Sequence, residues 1–324
     1  MTVSKLTVRT DTLVVTWTDG TTTQFPTIWL RDNCPSGLHP KTHERILDLL
    51  AIDEAPVLLS AALEENTALL EYADGHKSRM PIFLITAHGP GQHEADAGDV
   101  LAQLWRADLG AENISRHGAA PILSDDFALK SWMQDTAEYG LTIINQLQDR
   151  NDAGVEVAER VGFLRTTNFG TTFEVINKPD PNNLAYTSVA LPLHTDGFAM
   201  AEDLRTEDHE AFRLLCDVAI PFCFHDDSTD IRVHRPVITL GSKGEVIEIR
   251  YNAHLAGIFD MPAEIMPIYY RAYRAYMAKT RDPKYRLTLK LKAGEMVVFD
   301  NRRVLHGRDS FDPSTGFRHL HGCY

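Results

Sequence analysis

Three side chains able to ligate a transition metal, and one able to hold an acid beside it, are spaced along the second half of the chain. His194-Thr195-Asp196 supplies an imidazole and a carboxylate. Val304-Leu305-His306-Gly307-Arg308 supplies a second imidazole, 110 residues after the aspartate. Two imidazoles and one carboxylate fill three corners of an octahedron and leave three positions open. That ligand set holds a non-haem Fe(II) ready for a chelating co-substrate and O₂. Arg318, twelve residues past the second histidine, carries the planar fork that a doubly charged keto acid needs at its far end. Each residue alone has a plainer reading, the histidines as structural and the arginine as a surface charge. The ordered combination is what is specific.

The elements that must position these groups can be sought in a chain of 324 residues, 44% apolar and 24% charged, the composition of a globular enzyme. A formal charge of −13 argues against a nucleic-acid partner, because phosphate binding needs clustered Lys and Arg. An anionic substrate must be caught by local cations. No apolar run reaches the length of a transmembrane helix, and the first residues alternate like a strand with no signal-peptide pattern. Cys34, Cys216, Cys223 and Cys323 are sparse and irregular, so no disulfide framework is expected and a reducing cytoplasm fits.

Residues 1–90 read as a small β-rich domain. Thr16-Trp17-Thr18-Asp19-Gly20 followed by Pro26 recurs as Glu71-Tyr72-Ala73-Asp74-Gly75 followed by Pro81, at a constant offset of 55. Each copy sets an Asp-Gly turn between alternating segments, a strong hairpin pattern. Residues 91–118 read as a linker with one short helix over 97–107, and 119–324 as the main domain. There, Ser124-Asp125-Asp126 starts a helix that Gly140 stops, with Leu129, Trp132, Met133 and Thr136 on one stripe. Residues 141–144 read as a buried strand, 155–161 as a short helix, and 207–215 as a helix capped by Thr206. Ile265, Tyr269, Ala272, Tyr273 and Tyr276 form one face of a long helix. Residues 286–291, 295–299 and 317–324 read as strands. Helices around many short strands predict an α+β fold, a distorted jelly roll with the metal inside the barrel mouth.

His194-Thr195-Asp196, Asn301-Arg302-Arg303-Val304-Leu305-His306-Gly307-Arg308 and Arg318-His319-Leu320 resemble a Fe(II)/2-oxoglutarate oxygenase of the γ-butyrobetaine hydroxylase branch of the taurine dioxygenase-like group, which includes the 2-(trimethylamino)ethylphosphonate dioxygenase type. Trp29-Leu30-Arg31-Asp32-Asn33-Cys34 resembles the small leading domain of that branch and of trimethyllysine hydroxylase. The resemblance spans nearly the whole chain. It implies a double-stranded β-helix with His194, Asp196 and His306 as iron ligands and Arg318 as partner of the 2-oxoglutarate distal carboxylate. The implied reaction hydroxylates an unactivated C–H and releases succinate and CO₂. It also implies an aromatic cage for a trimethylammonium group, whose physical basis is cation–π attraction. The matching positions are Phe169, Phe173, Tyr186 and Tyr324, with Asn183 and Asn252 at the acidic end of the substrate. Phe169 and Phe173 stand where Tyr and Trp are expected. Arg250 adds a cation that would favour a phosphonate. The bland reading places all four aromatics in the core.

Two departures from the family pattern stand out. Some thirty residues normally separate the ligand aspartate from a Val-Asp-Gly-Phe piece, whereas here Asp196 runs straight into Gly197-Phe198-Ala199. A stretch missing from the sequence is favoured over a true deletion, which would open the barrel. The family also carries three close Cys and one later His in its leading domain. Here Cys34 and His76 remain, with His39 and His43 as stand-ins for a tetrahedral zinc, although the lack of a Cys pair favours exposed histidines.

The expected function is therefore hydroxylation of a trimethylammonium alkyl acid, γ-butyrobetaine or 2-(trimethylamino)ethylphosphonate, with Fe(II), 2-oxoglutarate and O₂. Alternatives are a trimethyllysine-type hydroxylase, or a non-catalytic jelly-roll binding protein if the gap after Asp196 is genuine. A cupin-type isomerase or hydrolase is disfavoured, since it has no need of Arg318. The expected partners are a small molecule and O₂, with a homodimer left open.

Overall fold

A computed structural model describes residues 2–89, 98, 100–168, 170–176, 195–226, 229–307 and 319–324. The chain divides into two compact units, Met1–Asp99 and Val100–Tyr324.

The first unit is a duplicated meander. Strands β1 (Val3–Val8), β2 (Thr12–Trp17) and β3 (Thr22–Pro26) form one antiparallel sheet and run into helix α1 (Thr27–Asp32). Strands β4 (Leu58–Glu64), β5 (Thr67–Tyr72) and β6 (Lys77–Pro81) repeat the pattern and run into α2 (Ile82–Ala87). The Asp-Gly turns form as expected. Gly20 and Gly75 take φ of +86° and +84°, a region that glycine enters without steric cost. Asp19 and Asp74 each accept the N–H two residues on, both at 2.9 Å. The echo runs deeper than the turns. The buried residues Val3, Leu13, Val15, Trp17, Phe25 and Leu30 are matched 55 positions on by Leu58, Ala68, Leu70, Tyr72, Met80 and Ile85, and all pack in one core. Even the β-bulge between Val3 and Lys5 recurs between Leu58 and Ser60.

The second unit opens with a segment that is not the predicted helix. Residues 100–106 are non-helical, because their polar backbone groups pair elsewhere. Gln103 N–H donates to the Glu138 carbonyl at 2.8 Å, and Trp105 N–H donates to Asp196 at 3.1 Å. Strand β7 (Arg116–Gly118) and helices α3 (Ala119–Ser124) and α4 (Asp126–Tyr139) lead to β8 (Leu141–Asn145). Asp125, not Ser124, caps α4, accepting from Phe127 and Ala128 N–H at 3.2 Å each. Gly140 ends it in the left-handed conformation, the usual chemistry of a helix stop. β8 pairs in parallel with β7 and is central in its sheet.

Helix α5 (Ala153–Glu159) and strands β9 (Thr172–Val175) and β10 (Thr195–Asp196) follow, then α6 (Gly197–Glu207) and α7 (His209–Asp217). The cap of α7 is Asp208, which accepts Ala211 N–H at 3.0 Å; Thr206 lies inside α6. Hairpins β11 (Ile220–His225) with β12 (Asp230–Arg235) and β13 (Ile238–Leu240) with β14 (Val246–Ile249) precede α8 (Met266–Arg281). The predicted stripe of α8 is buried at Tyr269, Ala272, Tyr273 and Tyr276 in one core with Phe212, Ile220, Ile238 and Ile249. Residues 286–291 bury Leu287 but form no regular strand among the described residues: alternate side chains pack while no ladder forms. β15 (Met296–Phe299) pairs antiparallel with β8, β16 (Val304–Leu305) with β10, and β17 (Leu320–Cys323) with β9. No described helix is long and apolar enough to cross a membrane.

Asp203 on α6 ties the unit together. It accepts from Arg106 Nε at 3.1 Å, Lys284 Nζ at 2.8 Å and the Tyr285 hydroxyl at 2.7 Å. Burial opposes its ionisation, but these donors outweigh that and hold its carboxyl well below the usual range. A depressed folded pKa contributes stability that is full above the unfolded value and is lost as pH falls towards the folded one. Asp203→Asn should cost about 2–3 kcal/mol at neutral pH, and the gap from wild type should close as pH drops below about 4. Urea unfolding against pH measures this, and a pH-independent difference would contradict the linkage.

Candidate active site

The ladder of β10 with β16 sets Asp196 opposite Val304 and Thr195 opposite Leu305. Two motifs more than a hundred residues apart thus become neighbours. His306 leaves the end of β16 with its ring 4.5 Å from that of Phe299. Surrounding protein desolvates it and lowers its pKa below the ordinary histidine value, although part of the residue stays open to solvent. A neutral imidazole of this kind suits metal ligation. His194 and Arg318 lie outside the described residues, as do Phe169, Asn183 and Tyr186.

Asp196 is not where a metal ligand should be. Its side chain is wholly buried and paired with buried Arg303. Oδ1 accepts from the N–H of Phe198 at 3.0 Å, that of Ala199 at 3.4 Å, and Arg303 Nε at 3.1 Å. Oδ2 accepts from Trp105 N–H at 3.1 Å and Arg303 Nη2 at 2.7 Å. A carboxylate offers roughly four lone-pair positions, and these donors take them all. The same residue caps α6. Asp196 therefore does not fit the expected role of iron ligand in this arrangement. It anchors the helix that follows.

Arg303 was quoted within the sequence motif but given no role, and it proves to be the partner. Its remaining N–H groups donate to the Glu138 carbonyl at 2.8 Å and to the Gln103 carbonyl. Two glycines lie close beside it. A Cβ on Gly140 would lie 2.7 Å from Arg303 Cδ, and one on Gly197 would lie 2.6 Å from the Arg303 carbonyl oxygen.

Of the expected cage, Phe173 on β9 and Tyr324 after β17 come together, rings stacked at 5.2 Å. Gly322 faces Phe173 across the ladder, and a Cβ there would sit 2.4 Å from the ring. Arg250 differs from expectation: its Nη2 donates to Glu248 Oε1 at 2.6 Å, so its charge is already engaged. Asn252 is exposed and its Oδ1 accepts His254 N–H at 3.0 Å, which closes a local turn.

The candidate zinc set, already disfavoured by the lack of a Cys pair, does not come together among the described residues. Cys34 Sγ and His76 Nε2 lie 3.4 Å apart, but His39 Nδ1 accepts the N–H of Thr42 at 3.2 Å within its own turn. Neither His39 nor His43 joins Cys34 and His76 in a cluster of three donors among the described residues. Two donors are too few for a structural zinc.

Arg303→Met should destabilise the protein by roughly 3–5 kcal/mol, the cost of stranding a buried charge. Asp196→Leu combined with Arg303→Met should recover only part of that, since no charge is left unpaired but the N–H groups of Trp105, Phe198 and Ala199 lose their acceptor. Equilibrium unfolding of the three proteins decides it. A loss under about 1 kcal/mol in the single variant would mean that the pair is not buried in solution.

Comparison with known proteins agrees with the motifs. Residues 194–324 match the model of the taurine catabolism dioxygenase TauD, TfdA family, and residues 4–83 match that of the γ-butyrobetaine hydroxylase-like N-terminal domain. A γ-butyrobetaine dioxygenase of Pseudomonas sp. (strain AK-1) is 36% identical over 345 aligned positions, covering 96% of this chain and 89% of that protein. The alignment is longer than the 324-residue chain, so the relative carries segments absent here. The mitochondrial trimethyllysine dioxygenase of Gallus gallus is 27% identical, covering 93% of this chain and 80% of its own. The human γ-butyrobetaine dioxygenase is 25% identical, covering 96% and 90%. Likeness at this identity, across nearly the whole length and in both units, means that the chain belongs to the γ-butyrobetaine hydroxylase branch of the taurine dioxygenase-like Fe(II)/2-oxoglutarate-dependent oxygenases.

Proposed function

We propose that the protein hydroxylates an unactivated C–H of a trimethylammonium alkyl acid, using Fe(II), 2-oxoglutarate and O₂. The observation that carries this reading is the 36% identity, across 96% of the chain, to a γ-butyrobetaine dioxygenase. The stacked Phe173–Tyr324 pair supports a quaternary-ammonium substrate by offering π-faces to a cation. Phe169 and Tyr186 are proposed to complete that cage, with Asn183 and Asn252 towards the acid. Arg250 was the reason for ranking a phosphonate beside γ-butyrobetaine. Its Nη2 contact with Glu248 gives that cation a partner of its own, which places γ-butyrobetaine ahead. His194 and His306 are proposed as iron ligands and Arg318 as the 2-oxoglutarate partner. Asp196 is left out of that set because its oxygens are spoken for. Free cysteines suit a reducing cytoplasm.

The saturated carboxylate of Asp196 favours a second reading, a non-catalytic jelly-roll protein that binds the same class of ligand. Succinate release with Fe(II) and 2-oxoglutarate, run against trimethylammonium carboxylates and phosphonates, separates the two. Substrate-dependent succinate that disappears in His306→Ala establishes the enzyme. Calorimetric binding of γ-butyrobetaine without succinate establishes the binding protein. Turnover confined to substrates lacking a quaternary nitrogen would refute the cage.

Gly322→Ala should displace the Phe173 ring and weaken γ-butyrobetaine binding by about 1–2 kcal/mol, roughly tenfold, while thermal stability changes little. Unaltered binding by calorimetry would remove Phe173 from the site.

A further inference from the structure

The ladder of β9 with β17 has a second face, and it carries a different chemistry. His319, the residue just before β17, and His321 within it are two residues apart, the period that turns side chains of an extended chain to one side. Their ring centroids lie 4.3 Å apart. Across the ladder His321 stands directly opposite Glu174. His319 Nε2 is 3.5 Å and His321 Nε2 is 3.8 Å from the same Glu174 Oε1. The three donor atoms lie within 4.8 Å of one another, the one such group of three or more His, Cys, Asp or Glu found among the described residues.

These separations are at or beyond the outer edge of hydrogen bonding, whose N–H···O distance is normally about 2.9–3.0 Å. They are close to what a shared ion requires. Bonds of about 2.1 Å to a tetrahedral centre hold ligand atoms about 3.4 Å apart, and small rotations of half-exposed side chains close the difference. Two imidazoles with one carboxylate select a transition ion over Mg²⁺ or Ca²⁺, which prefer all-oxygen shells.

We infer that Glu174, His319 and His321 form a surface site for a divalent transition ion of the Zn²⁺ type, with water completing its shell. The site does not involve His194, Asp196 or His306 and does not depend on the proposed function. The ion clips β9 to β17. Glu174 adjoins Phe173, which turns to the opposite face of the strand and packs over Gly322. Metal on one face therefore steadies the strand pair that holds the Phe173–Tyr324 stack on the other.

The test is Zn²⁺ titration of metal-stripped His306→Ala protein by calorimetry, with Co²⁺ absorption as a reporter of coordination. His306→Ala silences the separate iron position. One equivalent should bind. His321→Ala or Glu174→Gln, added singly to this background, should weaken that equivalent by at least about tenfold. Zn²⁺ should raise the melting temperature of the background protein and not of the added variants. If His306→Ala does not fold, wild type replaces it, and each variant should bind one tight equivalent fewer. Identical stoichiometry and affinity in the parent and both variants would overturn the site, as would no binding tighter than about 100 µM.

Discussion

The buried pair between Asp196 and Arg303 is the contact on which the second unit turns. Burying two charges costs several kcal/mol each, and the cost is met only when geometry is good and every remaining donor and acceptor is used. Here the guanidinium meets the carboxylate through two nitrogens, and its other N–H groups reach the carbonyls of Glu138 and Gln103. The carboxylate also takes the N–H of Trp105 and two from the start of α6. One ion pair thereby fixes the end of α4, the extended stretch before β7, the β10–β16 ladder and the first turn of α6. Gly197 has no room for a side chain beside the Arg303 carbonyl, and Gly140, left-handed at the end of α4, lies against the Arg303 side chain.

That anchor also sets the limit on the chemistry. In the family pattern the metal aspartate and the Val-Asp-Gly-Phe aspartate are separate residues, with a strand of the barrel between them. Asp196 stands where a metal aspartate is expected, and its hydrogen bonds show that it holds Arg303 and caps α6. A carboxylate that holds Arg303 and caps a helix has no lone pair to turn towards an ion. The tension between a family of oxygenases and a committed aspartate is physical, and it concerns this one side chain. His306, by contrast, keeps an imidazole that the surrounding protein desolvates, which lowers its pKa below the ordinary histidine value.

The strand pair β9–β17 illustrates how a ladder divides its faces. Phe173, over Gly322, belongs with Tyr324 to the aromatic side, while Glu174, His319 and His321 share the polar side. Because side chains alternate, a single residue step along β9 passes from a cation-attracting ring to a metal-attracting carboxylate.

Much was legible from sequence where the pattern was local. The Asp-Gly turns, the stripe of α8, the stop at Gly140 and the buried strand β8 follow from periodicity and turn chemistry, which act over a few residues. Family motifs fixed the oxygenase ancestry for the same reason: ordered short words survive in a linear string. The full duplication of the first core was only partly visible, because Leu13 and Ala68 or Phe25 and Met80 share a position without sharing a residue type. Long-range pairing decided the rest. Nothing in the string says that Trp105 and Arg303 converge on Asp196, that Glu248 engages Arg250, or that His39 bonds within its own turn. A side chain's role depends on which donors reach it, and that is settled by the packing of distant segments. The sequence by itself determined the lineage and those elements whose pattern is local. Only the tertiary structure decided that Asp196 is an anchor and that two histidines and a glutamate meet on the far face of β9 and β17.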